Sequence, residues 1–223
     1  MYRKNIFNTV KAVIFDLDGT LIDTEKIYRK IWPETVNEMG FDFKDEQYLE
    51  LRSLGRPFAP ARFLEWYGPA FDYNEARKIR NRRFNAVVER DGISQLPGAS
   101  ELLSFLRKKG IITAIATATD TVRATQFLKM SGLAPELFDR IISAADVPEG
   151  KPSPHVYRYA CECLNLNPSS VIAVEDAPNG IISASKAGCN VIMVPNQSEP
   201  DETILPFLTA CVNSLSDIPA LFG

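Results

Sequence analysis

The sequence is poor in the side chains on which many hydrolases depend. One histidine, His155, in 223 residues weighs against an HExxH zinc site, a His-rich metal site or a Ser-His-Asp triad. The four cysteines, Cys161, Cys163, Cys189 and Cys211, are too few for a disulfide framework. Cys-Glu-Cys at 161–163 lacks the spacing of a redox pair or zinc knuckle, so all four read as reduced packing residues. No apolar run approaches the roughly 18 residues of a membrane span, and the first, Ala12–Phe15, is ended by Asp16 too early for a secretory signal core. A net charge of −3 offers no general attraction to nucleic acid. Repeats and low-complexity stretches are absent, and no segment reads as an association helix. These absences leave a soluble, cytoplasmic chain, monomeric by default, with no membrane or nucleic-acid partner. Its chemistry must rest on carboxylates, hydroxyls and lysine.

What is present is a pattern of alternation. From Glu101 onward, helical and strand periodicities succeed one another: helix over 101–109, strand over 111–117, helix over 121–130, a short strand over 140–143, helix over 155–164. Strand 171–175, helix 180–187, strand 191–194 and a weak strand near 211–213 follow. Nearly continuous apolar runs such as Ile-Ile-Thr-Ala-Ile-Ala and Val-Ile-Ala-Val mark strands buried on both faces, as in a parallel sheet covered by helices. The expected fold is α/β, a doubly wound, Rossmann-like parallel sheet. Its first strand is Lys11 to Phe15, yet the next begins only at Ile111, far beyond the length of one crossover. The interval reads as wholly helical, over 25–39, 45–54, 60–67 and 74–90, with breaks at Gly40, Gly55-Arg56-Pro57 and Gly68-Pro69. The expected organisation is therefore a catalytic core of residues 1–23 and 95–223, with residues 24–94 inserted as an all-α cap.

Ligands of open α/β sheets bind beyond the carboxyl ends of the strands. Those ends carry Asp16-Leu17-Asp18-Gly19-Thr20, then Thr117-Ala118-Thr119-Asp120, then Gly150-Lys151-Pro152, then Glu175-Asp176. Asp16 and Asp18, two apart, point the same way in an extended segment, and Gly19 lets the chain turn. Like carboxylates at one site call for a cation, and a hard, all-oxygen cluster suits Mg²⁺ shared with a phosphate. Lys151 and Thr117 supply a positive charge and a hydroxyl for phosphoryl oxygens. Taken singly, each has a plainer reading: Asp18-Gly19 as a turn, Lys151 as a solvated loop lysine, Glu175-Asp176 as acidic residues before a helix. Thr119 reads as a strand residue or the cap of the next helix.

DLDGTLIDTE, the Thr117 strand end, GKPSP and VIAVEDAPNGIISASKAG resemble, in order, the four motifs of the haloacid dehalogenase superfamily, and the similarity spans nearly the whole chain. It implies Asp16 as the nucleophile that forms an aspartyl phosphate, and Asp18 as the acid and then base. It implies Thr117, the Ala118 amide and Lys151 around the phosphoryl group. Mg²⁺ would sit on Asp16, the Asp18 carbonyl and Asp176, with Glu175 in or next to that shell. Within the superfamily, Asp18 and Asp176 favour phosphoryl transfer over dehalogenation. The closer likeness is to β-phosphoglucomutase-like proteins, with two departures. Tyr28 stands where sugar phosphomutases carry a histidine, and Ser53 where the cap loop carries a glycine before a substrate-binding arginine near Arg56. His155 replaces an aspartate of the GKPxPD pattern and reads as a helix-start residue. Among the basic residues Arg77, Lys78, Arg80, Arg82 and Arg83 most are expected on a solvated face, with Arg80 or Arg83 reaching the cleft. Tyr28, Arg56 and Arg80, with Trp32, are the candidates for substrate selection. The expectation is a Mg²⁺-dependent phosphatase of small phosphorylated metabolites. A hexose-phosphate mutase and a catalytically silent binding module of the same fold are the alternatives.

Overall fold

The computed structural model describes residues 7–222. Strand β1 (Ala12–Phe15) is followed by helices α1 (Glu25–Glu38), α2 (Asp45–Leu51), α3 (Phe58–Tyr67), α4 (Tyr73–Asp91) and α5 (Ala99–Lys108). Strand β2 (Ile112–Thr117), α6 (Thr121–Met130), β3 (Arg140–Ser143), α7 (His155–Cys163), β4 (Val171–Glu175), α8 (Pro178–Ala187), β5 (Asn190–Met193) and β6 (Ala210–Cys211) complete the order. All strand pairs are parallel, in the order β3-β2-β1-β4-β5-β6. This is the doubly wound α/β fold expected from the alternation.

The chain winds outward from β1 through β2 to β3, then returns to build β4, β5 and β6 on the other side. The reversal falls between β1 and β4, which pair Phe15 with Val174. In such sheets that point opens the crevice where ligands bind. Asp16 leaves β1 there, its amide donating to the Val174 carbonyl at 2.9 Å, and Glu175-Asp176 leave β4 beside it.

Burial on both faces explains the unbroken apolar runs. Val13, Phe15, Ile115 and Ile172 pack toward α5 and α6, while Ala12, Ile14, Ala114 and Ala173 pack toward α7 and α8. Among α1–α4 the centre is aromatic: Phe63 is fully buried, 5.1 Å from the Trp32 ring and 5.0 Å from Phe71. Helix α3 begins at Phe58, ahead of the expected start at Pro60, because proline is tolerated in a first helical turn. Helix α8 likewise begins on Pro178. No helix among the described residues is long and apolar enough to cross a membrane.

Candidate active site

The strand ends converge on a cavity of about 500 Å³ lined by Asp16, Asp18, Tyr28, Arg56, Arg80 and Ala118, among others. Thr117, Lys151, Glu175 and Asp176 lie behind that lining, each with no solvent exposure. Lys151 is the hinge of the arrangement. Its ammonium donates to Asp16 Oδ1 at 2.5 Å and to Glu175 Oε1 at 2.6 Å. A lysine so deep is held charged by its two carboxylates, which push its pKa up against the effect of burial. The plainer reading of Lys151 as a solvated loop lysine is therefore excluded.

The carboxylates are placed as a graded set. Asp16 Oδ2 is buried and has no hydrogen-bond partner among the described residues, while Oδ1 is pinned by Lys151. Glu175 Oε1 also accepts from the Tyr157 hydroxyl at 2.6 Å, leaving Oε2 unpartnered. Asp176 accepts from Thr20 Oγ1 at 3.1 Å and from Arg52 Nη1 at 3.2 Å. Two glycines make room: a Cβ at Gly19, where φ is +85°, would stand 2.6 Å from Asp176 Oδ2, and one at Gly180 would stand 2.1 Å from Glu175 Oε1. Side chains at either position would displace the acids.

One oxygen each of Asp16, Glu175 and Asp176 can be chosen so that all lie within 4.8 Å of one another. Burial pushes the Asp16 carboxyl up to about 8, against the pull of Lys151. Burial likewise raises Asp176 to about 7 against Arg52, and raises Glu175 against Lys151. A hard oxygen set with two orphaned acceptors fits Mg²⁺, which would hold these groups ionised and give the orphaned oxygens a partner. Acids whose pKa is higher folded than unfolded bind more protons in the folded state between about pH 4 and pH 8. Without metal, stability should thus fall as pH rises through that window. One proton per pH unit is about 1.4 kcal/mol, or roughly 3–5 °C in a chain of this size. Thermal melts in EDTA at pH 5.5 and 8.0 should show that fall and melts in Mg²⁺ should abolish it; an EDTA profile flat or rising with pH contradicts the assignment.

Asp18 is held differently. Thr24 Oγ1 donates to its Oδ1 at 2.6 Å and Thr119 Oγ1 to its Oδ2 at 2.8 Å, so the carboxylate is oriented at the cavity wall. Thr119 is neither a plain strand residue nor the cap of α6, whose N-cap is Asp120, accepting from the Arg123 amide at 3.0 Å. Thr117 Oγ1 accepts from the Thr119 amide at 3.0 Å, which leaves its own hydrogen free to donate. Ala118, between them, faces the cavity.

Of the residues considered for substrate selection, Tyr28 stacks on Phe84 at 4.4 Å, and burial holds its hydroxyl up to about 12. The Arg80 guanidinium lies 5.2 Å above the Tyr28 ring and 5.0 Å above that of Trp32. Arg83 turns away instead, pairing with Glu34 and Glu38. Arg77, expected with the solvated face, lines the cavity with Arg56 and Arg123. Among the described residues none of Arg56, Arg77, Arg80 and Arg123 is in an ion pair, and Arg123 Nε is buried without a partner. His155 sits on the first turn of α7 with Nδ1 3.0 Å from Ser153 Oγ, outside the cavity lining. Sequence reasoning passes over Arg52, Glu25, Tyr48 and Tyr157. Glu25 is buried and hydrogen-bonded to the Tyr48 hydroxyl. None of these carries a local signal, since each gains its meaning from a partner distant in the chain.

Comparison with known proteins bears on the family and the fold. The family model of the haloacid dehalogenase-like hydrolases matches residues 13–194. The protein CbbY of Rhodobacter capsulatus is 30% identical over 94% of this chain and 99% of its own. Hexitol phosphatase A of Escherichia coli is 34% identical over 82% of each. A crystal structure of a CbbY variant from Rhodobacter sphaeroides, in complex with xylulose-(1,5)bisphosphate, superposes with a TM-score of 0.77 at 28% identity, over 93% of this chain and 96% of that one. Four strand ends with ordered acidic, hydroxyl and lysine residues thus coincide with a match over most of the sequence: the chain belongs to the haloacid dehalogenase-like hydrolases, enzymes of phosphoryl transfer.

Proposed function

We propose that this enzyme is a Mg²⁺-dependent phosphatase of small phosphorylated sugars or polyols, working through an aspartyl phosphate on Asp16, with residues 24–94 acting as its cap. The observation that carries the reading is the asymmetry of Asp16: one oxygen fixed by Lys151, the other unpartnered in a residue that lines the cavity. A pinned carboxylate with one open oxygen is the form a nucleophile needs. Asp16, the Asp18 carbonyl and Asp176 would hold the ion, with Glu175 beside them, and Mg²⁺ bound there would supply charge neutralisation at the phosphoryl oxygens.

The remaining steps belong to the chain itself. Thr117, the Ala118 amide and Lys151 surround the position of the transferred group. The Asp18 carboxyl gives a proton to the leaving alcohol and takes one from the water that releases phosphate, a contribution of about 10²–10⁴ in rate. Thr24 and Thr119 fix the direction in which that carboxyl points. The cavity supports a second anionic group on the substrate, since Arg56, Arg77 and Arg80 of the cap and Arg123 of α6 line it without carboxylate partners among the described residues. Burial, and then the charges of Arg80, Arg56 and Arg123, already lower the pKa of Arg77, so an anion would relieve their repulsion. The bisphosphate ligand of the CbbY relative and the polyol-phosphate specificity named in hexitol phosphatase A support the same class.

The test is a panel of sugar and polyol mono- and bisphosphates with Mg²⁺, following free phosphate and isomerised product. Phosphate release, highest for bisphosphates and lost in EDTA, is expected. Isomerisation without release would instead establish the mutase, and inertness across the panel the silent binding module. Tyr28, stacked and neutral where the mutases carry histidine, favours the phosphatase.

A further inference from the structure

Each carboxylate of the proposed metal set already has a cation of the protein beside it. Lys151, from the core, serves Asp16 and Glu175. Asp176 is served by Arg52, which lies just beyond α2 in the helical insertion; both side chains are 1% exposed. Arg52 holds on by little. It makes a single contact of 3.2 Å to Asp176 Oδ2, not a two-pronged fork, and its other terminal nitrogen goes to Ser198 Oγ. Among the described residues its Nε has no partner. A buried guanidinium with an orphaned donor is poorly arranged for stability alone, and it cannot shed its charge.

The surrounding backbone joins the same two parts. Asn179 Nδ2 donates to the carbonyls of Glu50 and Arg52 at 2.9 Å each. The Gly55 amide donates to the Lys151 carbonyl at 2.8 Å, and the Gly150 amide to the Arg56 carbonyl at 2.7 Å. Arg52 is thus seated on a metal-binding carboxylate only while the insertion is docked on the core.

We propose that Arg52 is a positioning residue set against the metal: its seating on Asp176 and the binding of Mg²⁺ there oppose each other, so that the cation loosens the docked cap. Two positive charges sharing one buried carboxylate repel, and linkage makes the effect reciprocal. This rests on the reading of Mg²⁺ and cap given above. The structure shows the seated arrangement, in which Arg52 takes the place of positive charge at Asp176 and an arriving ion must share that carboxylate with it.

Mg²⁺ affinity measured by calorimetry on wild type, Arg52→Met and Arg52→Lys separates the possibilities. Arg52→Met is expected to bind Mg²⁺ about tenfold more tightly than wild type, with Arg52→Lys close to wild type. A merely structural arginine would give unchanged or weaker binding on removal, and either result overturns the inference while leaving Mg²⁺ dependence intact. If neither wild type nor variant binds Mg²⁺, the metal reading fails and the inference with it. Should Arg52→Met not fold, hydrogen exchange at the Gly55 and Gly150 amides of the wild type decides. Mg²⁺ should speed their exchange about tenfold, and unchanged or slower exchange contradicts the antagonism.

Discussion

Asp16→Asn is expected to lower kcat on a phosphate monoester by at least about 10⁴-fold, on the scale seen when an enzyme loses its nucleophile, while leaving the fold intact. The amide nitrogen that replaces the second oxygen is neutral, with its lone pair delocalised into the carbonyl, so it does not attack phosphorus. The side chain nevertheless has nearly the same shape, and its oxygen can still accept from Lys151 Nζ, which is 2.5 Å from Asp16 Oδ1. Burial raises the Asp16 carboxyl to about 8, so the folded chain does not favour the charge that the substitution removes. The variant should therefore melt at or above the wild-type temperature in EDTA. Steady-state kinetics beside a thermal melt checks both halves. Activity within about tenfold of wild type would remove Asp16 from the chemistry.

Lys151→Met should act on the fold as strongly as on the rate. Its ammonium, with no exposure, joins two acids that have little other compensation: among the described residues the Glu175 carboxylate keeps only the Tyr157 hydroxyl, and the Asp16 carboxylate has no other partner. Removing one partner of a buried ionic cluster leaves uncompensated charge, at a cost of roughly 3–5 kcal/mol, or on the order of 10 °C in melting temperature for a chain of this length. The acids can escape by protonation, so the loss should be larger at pH 8.0 than at pH 5.5. Adding Glu175→Gln should restore part of the stability, because it removes one of the stranded charges. A single variant melting with the wild type would mean that Lys151 holds neither acid.

The strong features of the fold were legible in the sequence because they are periodic. Runs buried on both faces announced a parallel sheet, and the long interval after Phe15 announced the run of helices that precedes β2. The margins shifted where periodicity is weak: β5 begins at Asn190, one residue early, and the last strand is Ala210–Cys211, not 211–213. The acidic and basic residues at strand ends could be gathered before any coordinates, since parallel strands put those ends on one side. Their pairings could not. Arg52 meets Asp176 across 124 residues, and Thr119 meets Asp18 across 101, and neither contact leaves a pattern along the chain. The basic residues of α4 show the same boundary. Helical spacing separates their faces, but only the packing of α4 against α1 and the aromatic cluster decided that Arg77 and Arg80 turn inward and Arg83 outward.

The central claim is a covalent phosphate on Asp16, and borohydride trapping reaches it directly. A rapid-quenched single turnover with a hydrolysed sugar phosphate and Mg²⁺, reduced at once, converts an acyl phosphate into the alcohol of homoserine. Peptide mass spectrometry should find homoserine at position 16, only in samples that received substrate, and never in Asp16→Asn. Homoserine at another carboxylate, or phosphate released at the same rate with none at position 16, would contradict the account.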